Sequence, residues 1–163
     1  MGKTVIIYYS LTGNTKSVSK TLAQSFDAKL IQIKEVPERT IVSAYFSGIK
    51  RIFSNKKTEI FPVRIDLTPF NYVIIGTPVW AWNPTPAIKT FLEKTDFSNK
   101  KVILFTTQRL IKARTLDKMK RLVEKNSGKV IFTFSINTIL FKKSLKRKTK
   151  QISEKILKII RGV

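Results

Sequence analysis

The chain has 163 residues, 42% of them hydrophobic and 26% charged, the size and composition of one globular domain with a full core. With no Cys and no His it excludes disulfides, cysteine-ligated clusters, His-ligated zinc and Ser-His-Asp triads, so redox or group-transfer chemistry falls to a bound cofactor. Its 32 Lys and Arg against 10 Asp and Glu leave a net charge of +22, a field that attracts anions.

Residues 3–9 form the first predicted strand. It is continuously apolar from Val5 to Tyr9 and is therefore expected at the centre of a sheet. No apolar run approaches the roughly 20 residues of a bilayer span, and Val5 to Tyr9 is too short for a signal-peptide core, so the expected location is the cytoplasm. Directly after the strand comes Ser10-Leu11-Thr12-Gly13-Asn14-Thr15. A helix follows over about 14–26, with Val18, Leu22 and Phe26 at helical spacing. Hydroxyls, an amide and a glycine at a strand-to-helix turn suit a phosphate. Backbone N–H groups point outward there and the helix dipole favours an anion. Gly13 permits a tight turn and close approach. The plainer reading is an ordinary turn capped by Thr12 or Asn14.

A second strand is predicted at about 29–34, where Ile31 and Ile33 alternate with Gln32 and Lys34, as in an edge strand with one exposed face. A helix is expected over 40–54. Between Pro62 and Pro69 the pattern leaves a short extended piece around Val63 to Leu67. The third strand, Tyr72 to Ile75, ends at Gly76. After it, Pro84 and Pro86 open a helix carrying Ile88, Phe91 and Leu92. A fourth strand at 101–107, a helix at 115–126, a fifth strand at 129–136 and a last helix at 144–161 complete the chain. Alternating strands and helices make this an α/β fold, a three-layer, doubly wound, five-stranded parallel sheet. The expected organisation is one domain over residues 1–163.

The stretch Gly76-Thr77-Pro78-Val79-Trp80-Ala81-Trp82-Asn83-Pro84, taken with the S-x-T-G-N-T loop after strand one, resembles the flavodoxin-like family over nearly the whole chain. The resemblance implies strand order 2-1-3-4-5, with the switch point above the carboxyl ends of strands one and three. It also implies flavin mononucleotide (FMN) as cofactor. The phosphate would then be held by N–H groups from Leu11 to Thr15, through Gly13 and Asn14, and by hydroxyls of Ser10, Thr12 and Thr15. Backbone groups of Thr77, Pro78 and Val79 would line the ring, with Trp80 or Trp82 as a flat aromatic beside Ala81. The plainer reading of each tryptophan is core packing. In a third loop, Thr106 and Thr107 match the family's polar positions, but Gln108 and Arg109 replace the small residues expected next to the ring.

An FMN protein of this kind is expected to be an electron carrier moving through the flavin's three redox states. Positive charge near the ring favours its reduced, anionic form. One lysine at roughly 10 Å contributes about 0.4 kcal/mol, on the order of 20 mV. The basic balance favours an acidic redox protein, ferredoxin-like, as partner. Two alternatives remain open. One is an FMN-dependent NAD(P)H:quinone-type reductase. The other is a fold that has lost the flavin and binds an anionic polymer or membrane through the last helix, where Lys142, Lys143, Lys146, Arg147, Lys148 and Lys150 cluster.

Overall fold

The computed structural model describes residues 2–36, 59–62, 64–108, 114–139 and 142–161. β1 (Thr4–Tyr8) leads through the first loop to α1 (Asn14–Phe26), followed by β2 (Lys29–Gln32), β3 (Lys34–Val36) and β4 (Glu59–Phe61). Then come β5 (Tyr72–Trp80), β6 (Asn83–Pro84), α2 (Pro86–Lys94), β7 (Lys101–Gln108), α3 (Thr115–Lys125), β8 (Lys129–Asn137) and α4 (Lys142–Arg161). The main sheet runs β2-β1-β5-β7-β8, with every neighbouring pair parallel. Renumbered over those five strands this is the order 2-1-3-4-5. β6 attaches to β5 antiparallel as a sixth strand, and β3 and β4 form a separate antiparallel pair.

Why these segments fold this way follows from which faces are apolar. Val5, Ile6 and Ile7 are all fully buried, so β1 is covered on both sides. One side of the sheet packs Val5, Ile7, Val73, Ile75, Val102 and Leu104 against α2 and α3. The other packs Ile6, Ile74, Ile103 and Phe105 against Val18, Leu22 and Phe26 of α1 and Leu145 and Ile156 of α4. The stripes Val18, Leu22 and Phe26 and Ile88, Phe91 and Leu92 are thus buried, and the one on the last helix is buried at Leu145 and Ile156 but emerges at Ile159.

β2 is an edge strand, as expected, but neither of its faces is open. Ile31 packs on the first cluster and Leu30 on the second. The third strand is longer than Tyr72 to Ile75. It continues through Thr77 and Pro78, which pair with Thr106 and Thr107, to Trp80. Pairing with β1 stops at Gly76, so a proline two residues on meets a strand with an open side, where its missing N–H costs little. No strand forms over residues 64–67; the extended piece in this region is β4 instead. Val63 and the predicted helix over 40–54 lie outside the described residues.

In β8 the register against β7 slips by one residue. Val130 faces Val102, whereas Phe132 faces Ile103, leaving Ile131 as a bulge. Beyond it Phe134 stacks on Phe105, with centroids 5.3 Å apart and an interplanar angle of 11°. No helix among the described residues is long and apolar enough to cross a membrane.

Candidate functional site

Because β1, β5, β7 and β8 are parallel and in register, their carboxyl ends form one edge. Tyr8, Gly76, Phe105 and Phe134 share a row across it. The first loop leaves this edge at Tyr9. Gly13 occupies the N-cap of α1 with φ +87, and no side chain caps the helix. The first helical bond runs from Ser17 N to Gly13 O at 2.9 Å. The N–H groups of Asn14, Thr15 and Lys16 therefore have no intrahelical acceptor. Capping by Thr12 or Asn14 does not occur: Asn14 Nδ2 instead donates to Thr12 Oγ1 at 3.5 Å. The first turn of α1 holds no acidic residue, and a Cβ on Gly13 would meet open space.

Ser10 Oγ completes this arrangement. It is buried, yet it has no hydrogen-bond partner. A buried hydroxyl without a partner costs about 1–3 kcal/mol unless something outside the chain satisfies it. With three outward amides beside it, the site suits an anionic oxygen. Ser10 and Leu11 also line a pocket of about 280 Å³ on the β2 side of the loop, where the lysines Lys16 and Lys34 are accompanied by one buried carboxylate, Glu35. Leu11 itself packs on the core.

Thr15 turns inward. Its Oγ1 lies 2.8 Å from Thr107 Oγ1 in a buried contact that ties α1 to the end of β7. Thr106 Oγ1 lies 2.8 Å from Ser135 Oγ. Both threonine hydroxyls of the third loop are thus used within the protein. Gln108 accepts from Thr138 N at 2.9 Å through its carbonyl, while its own Oε1 is buried without a partner. Arg109 lies outside the described residues.

The second loop is a hairpin. β5 and β6 turn at Ala81 and Trp82, both with positive φ (42 and 60). Non-glycine residues in this conformation carry strain of about 1–3 kcal/mol each. Asn83 holds the tip in place, donating from Nδ2 to Ala81 O at 2.8 Å and accepting from Lys118 Nζ of α3 at 2.6 Å. Thr77 is fully buried, and its hydroxyl accepts from Thr85 N at 3.2 Å, so only its backbone is left for a ligand. The two tryptophans differ. Trp80 packs edge-on to Tyr9, with centroids 5.8 Å apart and an interplanar angle of 87°, and leans on the core. Trp82 is 57% exposed at the tip. Pro78 and Val79 lie on the strand between Thr77 and Trp80.

The structure therefore gathers Ser10 to Thr15, Thr77 to Trp82 and Thr106 to Gln108 at one end of the sheet. Three contributors were not singled out in the sequence: Tyr9, hidden inside an apolar run, and Asn83 with Lys118. Nothing in local spacing connects residue 83 to residue 118. Tyr9 could have been found as the polar-tipped aromatic closing the first strand. Among the described residues no group of three acidic, His or Cys side chains could hold a metal.

A family model described as Flavodoxin matches residues 3–153. Among solved structures, a Bacteroides uniformis protein assigned as a flavoprotein is 22% identical. It has a TM-score of 0.76, over 91% of this chain and 98% of that one. A flavoprotein of Lactobacillus acidophilus, solved in complex with FMN, is 24% identical with a TM-score of 0.69, over 83% and 93%. The oxidised flavodoxin 1 of Bacillus cereus is 13% identical with a TM-score of 0.61, over 96% and 98%. These likenesses are ones of fold.

Proposed function

The chain belongs to the flavodoxin family, and on that premise we propose that it binds FMN at the carboxyl ends of β1, β5 and β7 and serves as an electron-transfer protein. The observation that carries the reading is the uncapped start of α1 beside the buried, unpartnered hydroxyl of Ser10. That donor set fits a phosphate monoester, and it sits where a doubly wound sheet opens between its first and third strands in spatial use. FMN supplies one- and two-electron redox chemistry when bound; the chain supplies binding, orientation and electrostatics.

In this reading the N–H groups of Leu11 to Thr15 and the hydroxyls of Ser10 and Thr12 take the phosphate. Thr15 contributes through its backbone, because its hydroxyl is engaged with Thr107. The backbone of Thr77, Pro78 and Val79 runs along the ring, Trp80 backs it through Tyr9, and Trp82 on its strained hairpin shields the outer side from water. Thr106, Thr107 and Gln108 close the far edge, with Arg109 following. The net charge of +22 favours an acidic redox protein, ferredoxin-like, as partner.

The direct test is titration of the purified protein with FMN. Quenched flavin fluorescence at one equivalent and a raised melting temperature are expected. No quenching, no heat by calorimetry and an unchanged melting temperature at saturating FMN would overturn the reading.

A further inference from the structure

The start of α4 is anchored at the same edge as the candidate site. β8 ends at Asn137 opposite Gln108, Thr138 donates to the Gln108 carbonyl at 2.9 Å, and α4 begins at Lys142. From there α4 runs back beside α1. The two share one core cluster, and Ser153 Oγ lies 3.1 Å from Ser25 Oγ. Helical rise sets Lys146 about 22 Å from Arg161, and counting back from Ser153 beside Ser25 puts Lys146 and Arg147 level with the first half of α1 and Lys150 just beyond it.

On that half of the two helices the exposed charges include Lys16, Lys20, Lys146, Arg147 and Lys150, with Lys148 exposed as well and no carboxylate on either helix there. None of these cations forms an ion pair among the described residues; the ion pairs there lie within α2 and α3. The acidic groups of these helices, Glu154 and the C-cap Asp27, are both on the far half, which also carries Lys155, Lys158 and Arg161. Among the described residues of these two helices, positive charge is therefore undiluted on the half next to the site; off the helices, the buried carboxylate of Glu35 lines the same pocket as Lys16. Of the exposed large apolar side chains, Trp82 and Ile139 lie at the carboxyl end of the sheet, whereas Ile159 is on the far half of α4. Trp82 stands on the β5–β6 hairpin, and Ile139, 61% exposed, sits between Thr138 and the start of α4. An apolar contact with a charged flank is the composition of a protein-docking surface rather than of a phosphodiester track.

We propose that Ile139 together with the basic shoulder formed by Lys16, Lys20, Lys146, Arg147 and Lys150 is the docking surface for an acidic redox protein. The inference rests on the electron-transfer reading above and adds to it where the partner sits. Charge steers the encounter, and Ile139 supplies the desolvated contact beside Gln108. With FMN bound, the partner's reduced group would be the one-electron donor, oxidised in each productive encounter, and the flavin would be the acceptor.

The test uses the full chain with a [2Fe–2S] ferredoxin of net negative charge as probe, with binding measured with and without FMN. The triple variant Lys146→Glu/Arg147→Glu/Lys150→Glu is compared with Lys155→Glu/Lys158→Glu/Arg161→Glu, which changes the net charge equally. Near-site reversal is expected to weaken binding at low salt by about tenfold or more, and far-end reversal by about twofold or less. High salt should abolish the difference. Ile139→Ala should weaken binding in high salt as well, and the corresponding Gln triple gives a second series should charge reversal disturb folding. Equal losses from both triples, no loss from either, or tighter binding of a short DNA duplex or an anionic vesicle than of ferredoxin would overturn the proposal. FMN quenching measured on the same samples reports the flavin reading separately, because ferredoxin binding is read with the flavin absent as well as present.

Discussion

The Thr15 and Thr107 hydroxyls meet at 2.8 Å across 92 positions of sequence, buried between the first turn of α1 and the end of strand β7. This contact fixes the distance between the first and third loops before any ligand arrives. Replacing either residue by Val leaves the other hydroxyl buried and unsatisfied, at a cost of about 1–3 kcal/mol. Replacing both removes the orphan, so the double variant should lose clearly less than the sum of the singles. Urea unfolding of the four proteins measures this; strict additivity would show that the two hydroxyls are not coupled.

Ser10→Ala should separate stability from binding. In the ligand-free protein the hydroxyl has no partner, so its removal should leave the urea midpoint unchanged or raise it. FMN affinity should fall roughly ten- to a hundredfold, the loss of one hydrogen bond to a charged group. A lowered midpoint with unchanged affinity would contradict the role assigned to this side chain.

The hairpin tip carries removable strain. Ala81 has φ 42, a conformation that glycine adopts without penalty. Ala81→Gly should stabilise the protein by about 1 kcal/mol, and Ala81→Val should destabilise it. Urea midpoints decide between these signs.

A glycine in mid-strand is explained by a single ring. A Cβ on Gly76 would collide with Phe105, which is itself held by Phe134 and fully buried. Gly76→Ala should cost about 1–3 kcal/mol by overpacking. Adding Phe105→Leu should recover part of the loss, a rescue visible in thermal unfolding of the pair.

Acid should weaken one turn in a defined direction. Asp96 accepts from Ser98 Oγ at 2.6 Å and from Ser98 N at 2.9 Å. The side-chain bond first, then the backbone bond, hold its carboxyl below the ordinary 3.8. Its folded value being depressed, its stabilising contribution is complete above about pH 4 and fades as pH falls below 3.8. The urea midpoint of the Asp96→Asn variant should therefore approach that of the parent as the pH is taken below that value. A gap that stays constant would sink the assignment.

Most of the layered fold was legible because its helices follow one stripe each. Val18, Leu22 and Phe26 mark the buried side of α1, and the helix spans 14–26 as their spacing requires. The order of strands one and three was legible through the two loop motifs, which a doubly wound sheet must bring together. The end of β5 was not. Gly-Thr-Pro reads as a break, and only the early termination of β1 makes a proline acceptable there. The β5–β6 hairpin was equally hidden, since Ala-Trp carries none of the Asn-Gly signal that usually marks a two-residue turn. The link from Lys118 to Asn83 depends on how α3 packs, which no local pattern encodes. The hexamer at residues 10–15 was read correctly as a strand-to-helix turn. That its hydroxyls divide, Thr15 inward and Ser10 without a partner, is a matter of tertiary environment.

The unpaired Ile131 makes β8 tolerant of length changes at its foot but not further along. A chain lacking that residue would pair Val130 and Phe132 with consecutive positions of β7, and Phe134, Ser135 and Asn137 would keep their present neighbours Phe105, Thr106 and Gln108. Loss of one residue between Phe132 and Ser135 would instead turn the following side chains to the opposite face. The working rim is in this way buffered against small insertions and deletions that arise below the bulge.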